Sequence, residues 1–501
     1  MSGNRAVTPS VAPAEDPRDP LELAADAPLL AGWLDWTRRV AAGEVAPMTT
    51  PGHKQRQDLV GAVVAGDAQL YGAIDAIKRA DGVRAEAEAR AAALWGADWC
   101  RFSVAGSTHG NQALCLALGR PGQTVIVTRT LHRSLLLGLV LAGLRPVWVR
   151  PDIDPVTRLP TSVPVHAVRD ALAAHPDACG VILGEPSYVG TTGDLAAQCE
   201  VAHAAGVPLI VDAAWAPHFG FHPDLPPHPL AAGADAMVTS AHKALPAYTQ
   251  GAIVLARTER LDRDRLERAF DATHTTSPAG SILASIDATR ALLAKDGERL
   301  CGRLLRGVAM ARKRLREVPG IDVLDGPGVE PSKLVVLLAG TGAHGCLVES
   351  DLIAAGLAPE MAEQDTIVPL VTIADDEEQV AAFTEALIAS IERHRAAPRR
   401  PVPASWVVEP HTVLAPREAF FAPHETVPTT AAIGRVSAEL IAPYPPGIPV
   451  LAPGELITAD AVTALRDALA SGTRIAYAAN PGLSTLQVVA EDFFVNGDFC
   501  T

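Results

Sequence analysis

Hydrophobic positions along the chain alternate between two periods. Short apolar runs recur as "CRFSVAG", "TVIVT", "RPVWVR", "GVILGE", "PLIVDAA", "DAMVTSA" and "GAIVLA". Each has the length of a buried strand. Between most of them lie segments with helical spacing, such as "HGNQALCLALG" and "SLLLGLVLAGL". "RAEAEARAAALWGA" precedes the first run and predicts a helix ending near Gly96. Strands alternating with helices predict an α/β fold with a mainly parallel sheet covered on both faces. Ligands in such folds collect beyond the C-terminal ends of strands, so chemistry is expected where each run stops.

The pattern changes downstream. From Leu283 to Val318 it is long-helical. "PSKLVVLLAG", "TIVPLVTIA" and "EEQVAAFTEALIASIERH" then predict a smaller α/β domain, and "RAAPRRPVPAS" reads as a linker. These shifts divide the chain into an N-terminal arm (1–55), a large domain (56–300), a small domain (301–395) and a C-terminal domain (396–501). The arm opens with a polar, Pro-rich stretch expected to be disordered. It continues through the helical "LLAGWLDWTRRVAAGEV" to "TTPGHKQ".

Composition narrows the function classes. A formal net charge of −15 argues against non-specific binding to nucleic acid or anionic membrane. No apolar run approaches the ~20 residues of a membrane span, and the N-terminus lacks the apolar core of a signal peptide. The seven cysteines are scattered without a C-x-x-C pair. That pattern predicts reduced thiols in a cytoplasm and no zinc site.

The strand ends carry the chemistry. "FSVAGSTHGNQA" places Ser107 and Thr108 in a turn that opens a helix, which is a phosphate site by construction; an ordinary capped helix has the same residues. His132 follows "VIVT" and is suited to stacking on a flat ligand, or simply to bonding nearby backbone. Asp212 ends "PLIVD", where a carboxylate needs a cationic ligand or a structural arginine. "DAMVTSAHKALP" ends in Ser240, His242 and Lys243. A lysine in apolar surroundings loses proton affinity and becomes nucleophilic.

Together these residues meet the needs of pyridoxal 5'-phosphate. It takes a Schiff-base lysine, an acid near its ring nitrogen, a phosphate cradle and a ring cover. A nucleotide site is the alternative, and neither G-x-x-x-x-G-K-[ST] nor G-x-G-x-x-G is present.

From about residue 45 onward the chain resembles the pyridoxal-phosphate decarboxylases of ornithine, lysine and arginine, within the aspartate-aminotransferase fold superfamily. It is most similar to the shorter biosynthetic members. The resemblance is carried by "TPGHKQ", "AGSTHGNQA", "RTLHRSL", "EPSYVG", "VDAAWAPHFGFHP", "TSAHKALPAYTQGA", "TTSPAGSILASIDATR", "PREAFFA" and "PYPPGIPVLAPGE". It implies a fold type I large domain with a mainly parallel seven-stranded sheet, a smaller α/β domain and a C-terminal α+β domain.

By the same resemblance Lys243 carries the cofactor, Asp212 pairs with its ring nitrogen and His132 stacks on the ring. Ser107, Thr108, Ser240 and His242 hold the phosphate, and Ala214 and Trp215 touch the ring or its surroundings. Thr276 and Ser277 reach the cofactor of a neighbouring subunit, which implies a homodimer or higher homo-oligomer with active sites at the interface. The implied reaction is decarboxylation of a basic amino acid, with Lys243 or His242 returning a proton.

Three positions depart from the family pattern: Ala105, where asparagine is common, and Ala213 and Trp215, where the short members read "DEAHGAHF". Trp215 favours lysine as substrate. Glu439 and Glu455 are candidate acceptors for its cationic end, and either serves equally as a solvated surface charge, Glu455 above all. A transaminase or aldol-cleaving enzyme, and a non-catalytic regulatory homologue, are the alternatives on the same fold.

Overall fold

The seven apolar runs become seven strands of one sheet in the computed structural model, which describes residues 20–75, 82–402, 405–409, 411–444 and 447–495. They are β1 (Trp99–Ser103), β2 (Thr124–Thr128), β3 (Arg145–Val149), β4 (Val181–Gly184), β5 (Leu209–Asp212), β6 (Ala236–Ser240) and β7 (Ala252–Ala256). Their order is β1-β7-β6-β5-β4-β2-β3. β2 to β6 pair in parallel, while β7 runs antiparallel to both β1 and β6. The exception has a local cause. A parallel return needs a crossover, usually a helix, and the segment 241–251 between β6 and β7 holds none.

Helices cover both faces. The helix Gly106–Leu118 lies directly on β6 and β7 because Gly110 has no side chain there. A Cβ at Gly110 would stand 2.5 Å from Val238 Cγ2 and 2.8 Å from Val254 Cγ2. The arm contributes the helix Pro28–Ala41; the disorder expected at its start falls on residues 1–19, outside the described residues.

The long-helical stretch is a single helix, Gly280–Arg316. Its first half binds the arm, where Asp287 Oδ2 accepts the Leu29 amide at 2.9 Å. Its second half binds the helix Glu377–Arg393 through Arg306–Glu377 at 3.0 Å and Arg314–Glu385 at 2.6 Å. The small domain adds β8 (Asp322–Val323), β9 (Val336–Leu337), β10 (Met361–Ala362) and β11 (Thr366–Val368), all paired antiparallel.

Within the stretch read as a linker, residues 395–402 form no element but are strapped down. Arg399 donates to Asp365 at 2.9 Å and to the carbonyls of Ala343 and Gln364, both at 2.8 Å. The C-terminal domain is α+β. Two antiparallel strand pairs, His424–Pro428 with Thr485–Val489 and Ala442–Tyr444 with Arg474–Ala476, enclose a core with the helix Ala459–Ala470.

Candidate active site

The C-terminal ends of β2, β4, β5 and β6 meet the turn before the helix Gly106–Leu118 around a cavity of about 400 Å³. Gly106 starts that helix at φ +71, a conformation that favours glycine, and its amide donates to the Gln250 carbonyl at 2.8 Å. The turn brings Ser107 Oγ to 2.7 Å from Ser240 Oγ. Two hydroxyls and the free amides of a helix N-terminus thus converge, and such a cradle suits a phosphate. Thr108 stands exposed at its rim.

Asp212 closes β5 with both carboxylate oxygens engaged. Oδ1 accepts the Ala214 amide at 3.2 Å and Oδ2 accepts Asn111 Nδ2 at 2.8 Å. Asn111, one turn along the helix from Ser107, also donates to Ser134 Oγ at 2.8 Å. Ser134 in turn meets His132 Nδ1 at 2.8 Å, and its amide donates to the same nitrogen. Accepting that amide leaves the proton of neutral His132 on Nε2. The ring caps the helix Arg133–Ala142 and is exposed into the cavity.

Lys243 follows β6 in the turn to β7. Burial lowers its pKa, against the raising fields of Asp212 and Glu360. Its Nζ lies 3.9 Å from the centroid of the Trp215 ring. His242 Nδ1 donates to the Gly251 carbonyl at 2.9 Å, which leaves Nε2 available.

Nine residues expected at the site line this one cavity: Ser107, Thr108, His132, Asp212, Ala214, Trp215, Ser240, His242 and Lys243. Ala105 lines it too. Ala213 does not. It is fully buried, its amide on the Val238 carbonyl and its own carbonyl on Thr239 Oγ1, so that departure from the family pattern points into the core. Thr276 and Ser277 are exposed on the surface, apart from the cavity of their own chain.

The two glutamates lie elsewhere. Glu439 is buried in the C-terminal domain, where its carboxylate accepts the amides of Ala479 and Gln487, each at 2.7 Å. The surface reading is corrected for both: Glu439 is buried, and Glu455 is 1% exposed and bidentate to Arg129 at 2.5 and 3.0 Å. A carboxylate so enclosed keeps its charge only by such a partner, so it cannot also receive a substrate cation.

Sequence reading missed Asn111, Ser134 and Lys333. Asn111 carried a signal, since it stands one helical turn beyond Ser107 and so on the same face. Lys333 carried none. It comes from the small domain, and its Nζ lies 3.6 Å from the Trp215 ring centroid. A larger cavity of about 680 Å³ lies between the small and C-terminal domains and shares Tyr188 with the site. Convergence of polar groups, rather than size, marks the smaller one.

Known proteins resemble this chain in fold and in sequence. More than nine-tenths of the chain superposes on solved lysine decarboxylases. The Francisella novicida enzyme LdcF gives a TM-score of 0.78 at 18% identity, covering 93% of this chain and 81% of that one. Lysine decarboxylase A from Pseudomonas aeruginosa gives 0.77 at 18%, covering 94% and 81%. The fold is therefore shared with these two enzymes.

The family model "Orn/Lys/Arg decarboxylase, major domain" matches residues 61–349, and that of the C-terminal domain matches 403–482. The arginine decarboxylase of Halalkalibacterium halodurans is 32% identical over 84% of this chain and 88% of its own length. That of Bacillus subtilis is 30% identical over 83% and 88%. The constitutive lysine decarboxylase of Escherichia coli is 24% identical over 77% and 67%. The chain belongs to the Orn/Lys/Arg decarboxylase family and is an amino-acid decarboxylase.

Proposed function

We propose that this enzyme removes the α-carboxylate of a basic L-amino acid with pyridoxal 5'-phosphate, yielding the amine and carbon dioxide. L-Arginine stands first as substrate and L-lysine second, with agmatine and cadaverine as products; L-ornithine, giving putrescine, is third. The order follows the relatives named for arginine, which share more identity and coverage than those named for lysine. It replaces the preference for lysine drawn from Trp215.

The observation that carries the reading is the convergence of Lys243, Asp212 and the Ser107–Ser240 pair on one cavity. The residues fit the cofactor. The serine hydroxyls and helix amides suit its phosphate, and Lys243 suits covalent attachment of its aldehyde. Asp212, held ready by Asn111, suits its protonated ring nitrogen. Asn111 also supports the plane of His132 through Ser134, and this ring suits a stacking cover.

When bound, the cofactor supplies an electron sink for the pair released as the carboxylate leaves. The remaining steps belong to this chain. Lys243, its proton affinity lowered by burial, would hold the cofactor covalently, being available as a neutral amine. Trp215 walls the cavity and limits water beside the reacting carbon. Lys243 or His242, whose Nε2 is free of the Gly251 bond, returns the proton to Cα.

Thr276 and Ser277 fit a role outside their own chain's cavity. We place them on the phosphate of a second subunit, in a homodimer or larger homo-oligomer with sites at the interface. The cytoplasm is the proposed setting. In support, the six described cysteines are free, and no helix among the described residues is long and apolar enough to cross a membrane.

The test is to incubate purified, cofactor-loaded protein with L-arginine, L-lysine and L-ornithine separately and to measure carbon dioxide and amine. At least one substrate should give both in equal amounts. No carbon dioxide from any of them, or a keto acid in its place, would overturn the reading.

A further inference from the structure

Two lysines from different domains meet at Trp215. Lys243 Nζ stands 3.9 Å and Lys333 Nζ 3.6 Å from the same ring centroid. The two nitrogens are thus no farther apart than the sum of those distances. Lys333 is only 6% exposed, yet its ammonium has no hydrogen bond or ion pair among the described residues. Of the two carboxylates whose fields reach it, Glu360 makes no ion pair with it among the described residues, and Glu330 is engaged elsewhere, accepting the Ser332 amide at 2.7 Å and its hydroxyl at 2.5 Å. His218 Nε2 completes that chain, 2.8 Å from Ser332 Oγ.

The fold builds this placement. The Glu330 amide donates to the Gly190 carbonyl and the Thr192 amide to the Gly328 carbonyl, each at 2.8 Å. This short ladder ties the strand-like segment before Lys333 to the loop after β4. Gly190 leaves room for the lysine stem, because a Cβ there would lie 2.8 Å from Lys333 Cβ. Burial, helped by the nearby Lys243 charge, lowers the Lys333 pKa to about 8 against the opposing fields of Glu330 and Glu360, so the group is still a cation at neutral pH. A buried cation resting on an aromatic face, with no carboxylate in hydrogen-bond or ion-pair contact among the described residues, is only partly compensated for its desolvation.

A basic amino acid carries one anion, its α-carboxylate. A carboxylate oxygen lies about 3 Å from the amine nitrogen of the same molecule, and a charge-assisted hydrogen bond adds about 3 Å. Those two lengths fit the separation that the shared Trp215 ring allows between Lys243 and Lys333. We propose that Lys333 receives the α-carboxylate of the substrate and so orients the bond that breaks. The inference rests on the basic-amino-acid reading above. An ammonium suits the task because it holds a carboxylate as a point charge, whereas arginine would grip it with a two-pronged fork. A weaker hold on the ground state leaves more of the binding energy for the transition state.

The experiment compares each amino acid with its own amine: L-arginine with agmatine, L-lysine with cadaverine and L-ornithine with putrescine. KM is measured for the amino acid that the wild type turns over. The inhibition constant of the matching amine is measured kinetically, and its binding is followed independently by titrating the absorbance of the bound cofactor. In Lys333→Met, KM should rise about tenfold, the scale of a lost charged hydrogen bond. Amine binding should change less than twofold, because the amine has no carboxylate. Lys333→Arg should restore KM to within about threefold while lowering kcat.

Equal losses for amino acid and amine, or an unchanged KM, would overturn the carboxylate role while leaving the function intact. A wild-type protein that decarboxylates none of the three amino acids overturns the function itself and this inference with it. Thermal unfolding of Lys333→Met without cofactor shows that the variant is folded in the comparison.

Discussion

Asn111 donates to Asp212 Oδ2 at 2.8 Å, and its own side-chain carbonyl has no partner among the described residues. The amide is therefore spent on two jobs at once, fixing the Asp212 carboxylate and holding Ser134 against His132. Removing it leaves a buried carboxylate oxygen short of a donor, which costs about 1–3 kcal/mol. Asn111→Ala should weaken cofactor binding about tenfold, read by absorbance titration of the cofactor-free protein. Unchanged affinity would show that Asp212 keeps its orientation without this bond.

Trp215 is the surface on which both lysines rest. Cation–aromatic contacts of this kind are worth about 0.5–2 kcal/mol each. Trp215→Leu should therefore raise KM at least about fivefold, while Trp215→Phe, which keeps a π face, should stay within about threefold of the wild type. A leucine variant with normal KM would assign the tryptophan to packing alone.

The sheet was legible in the sequence because its strands are buried and therefore read as unbroken apolar runs. The direction of β7 was not, since it depends on what the segment 241–251 fails to form. Asp212, Ser240 and Lys243 stood out because polar groups at the ends of apolar runs are conspicuous. Lys333 did not, because the backbone ladder to Gly190 that delivers it has no local pattern. Glu455 was misread for a related reason: its burial is decided by Arg129, 326 positions away.

That pair gives a stability prediction. Arg129 and Glu455, each 1% exposed, join β2's end to the C-terminal domain, and breaking a buried pair from one side costs about 3–5 kcal/mol. Glu455→Leu should lower the thermal midpoint clearly, whereas the double change Arg129→Met with Glu455→Leu should recover most of the loss. A single variant as stable as the wild type would mean that the pair holds nothing together.

Glu185 gives a pH prediction of definite sign. It is 8% exposed, and burial raises its carboxyl from 4.5 to about 7, only partly offset by the Gly193 amide. The folded protein thus binds this proton more tightly than the unfolded chain. Its contribution to stability is greatest at low pH and declines as pH rises from about 4.5 to about 7. In Glu185→Gln the pH dependence of denaturant midpoints should be flatter across that window. A decline just as steep in the variant would place its source in another group.

The account turns on Lys243 being the lysine that holds the cofactor, with Lys333 close enough to compete for it. Protein loaded with pyridoxal 5'-phosphate is reduced with borohydride, digested and mapped by mass spectrometry. The account predicts a phosphopyridoxyl group on Lys243 and its absence from the Lys243→Ala protein. The same group on Lys333 in the wild type, or on neither lysine, would contradict it.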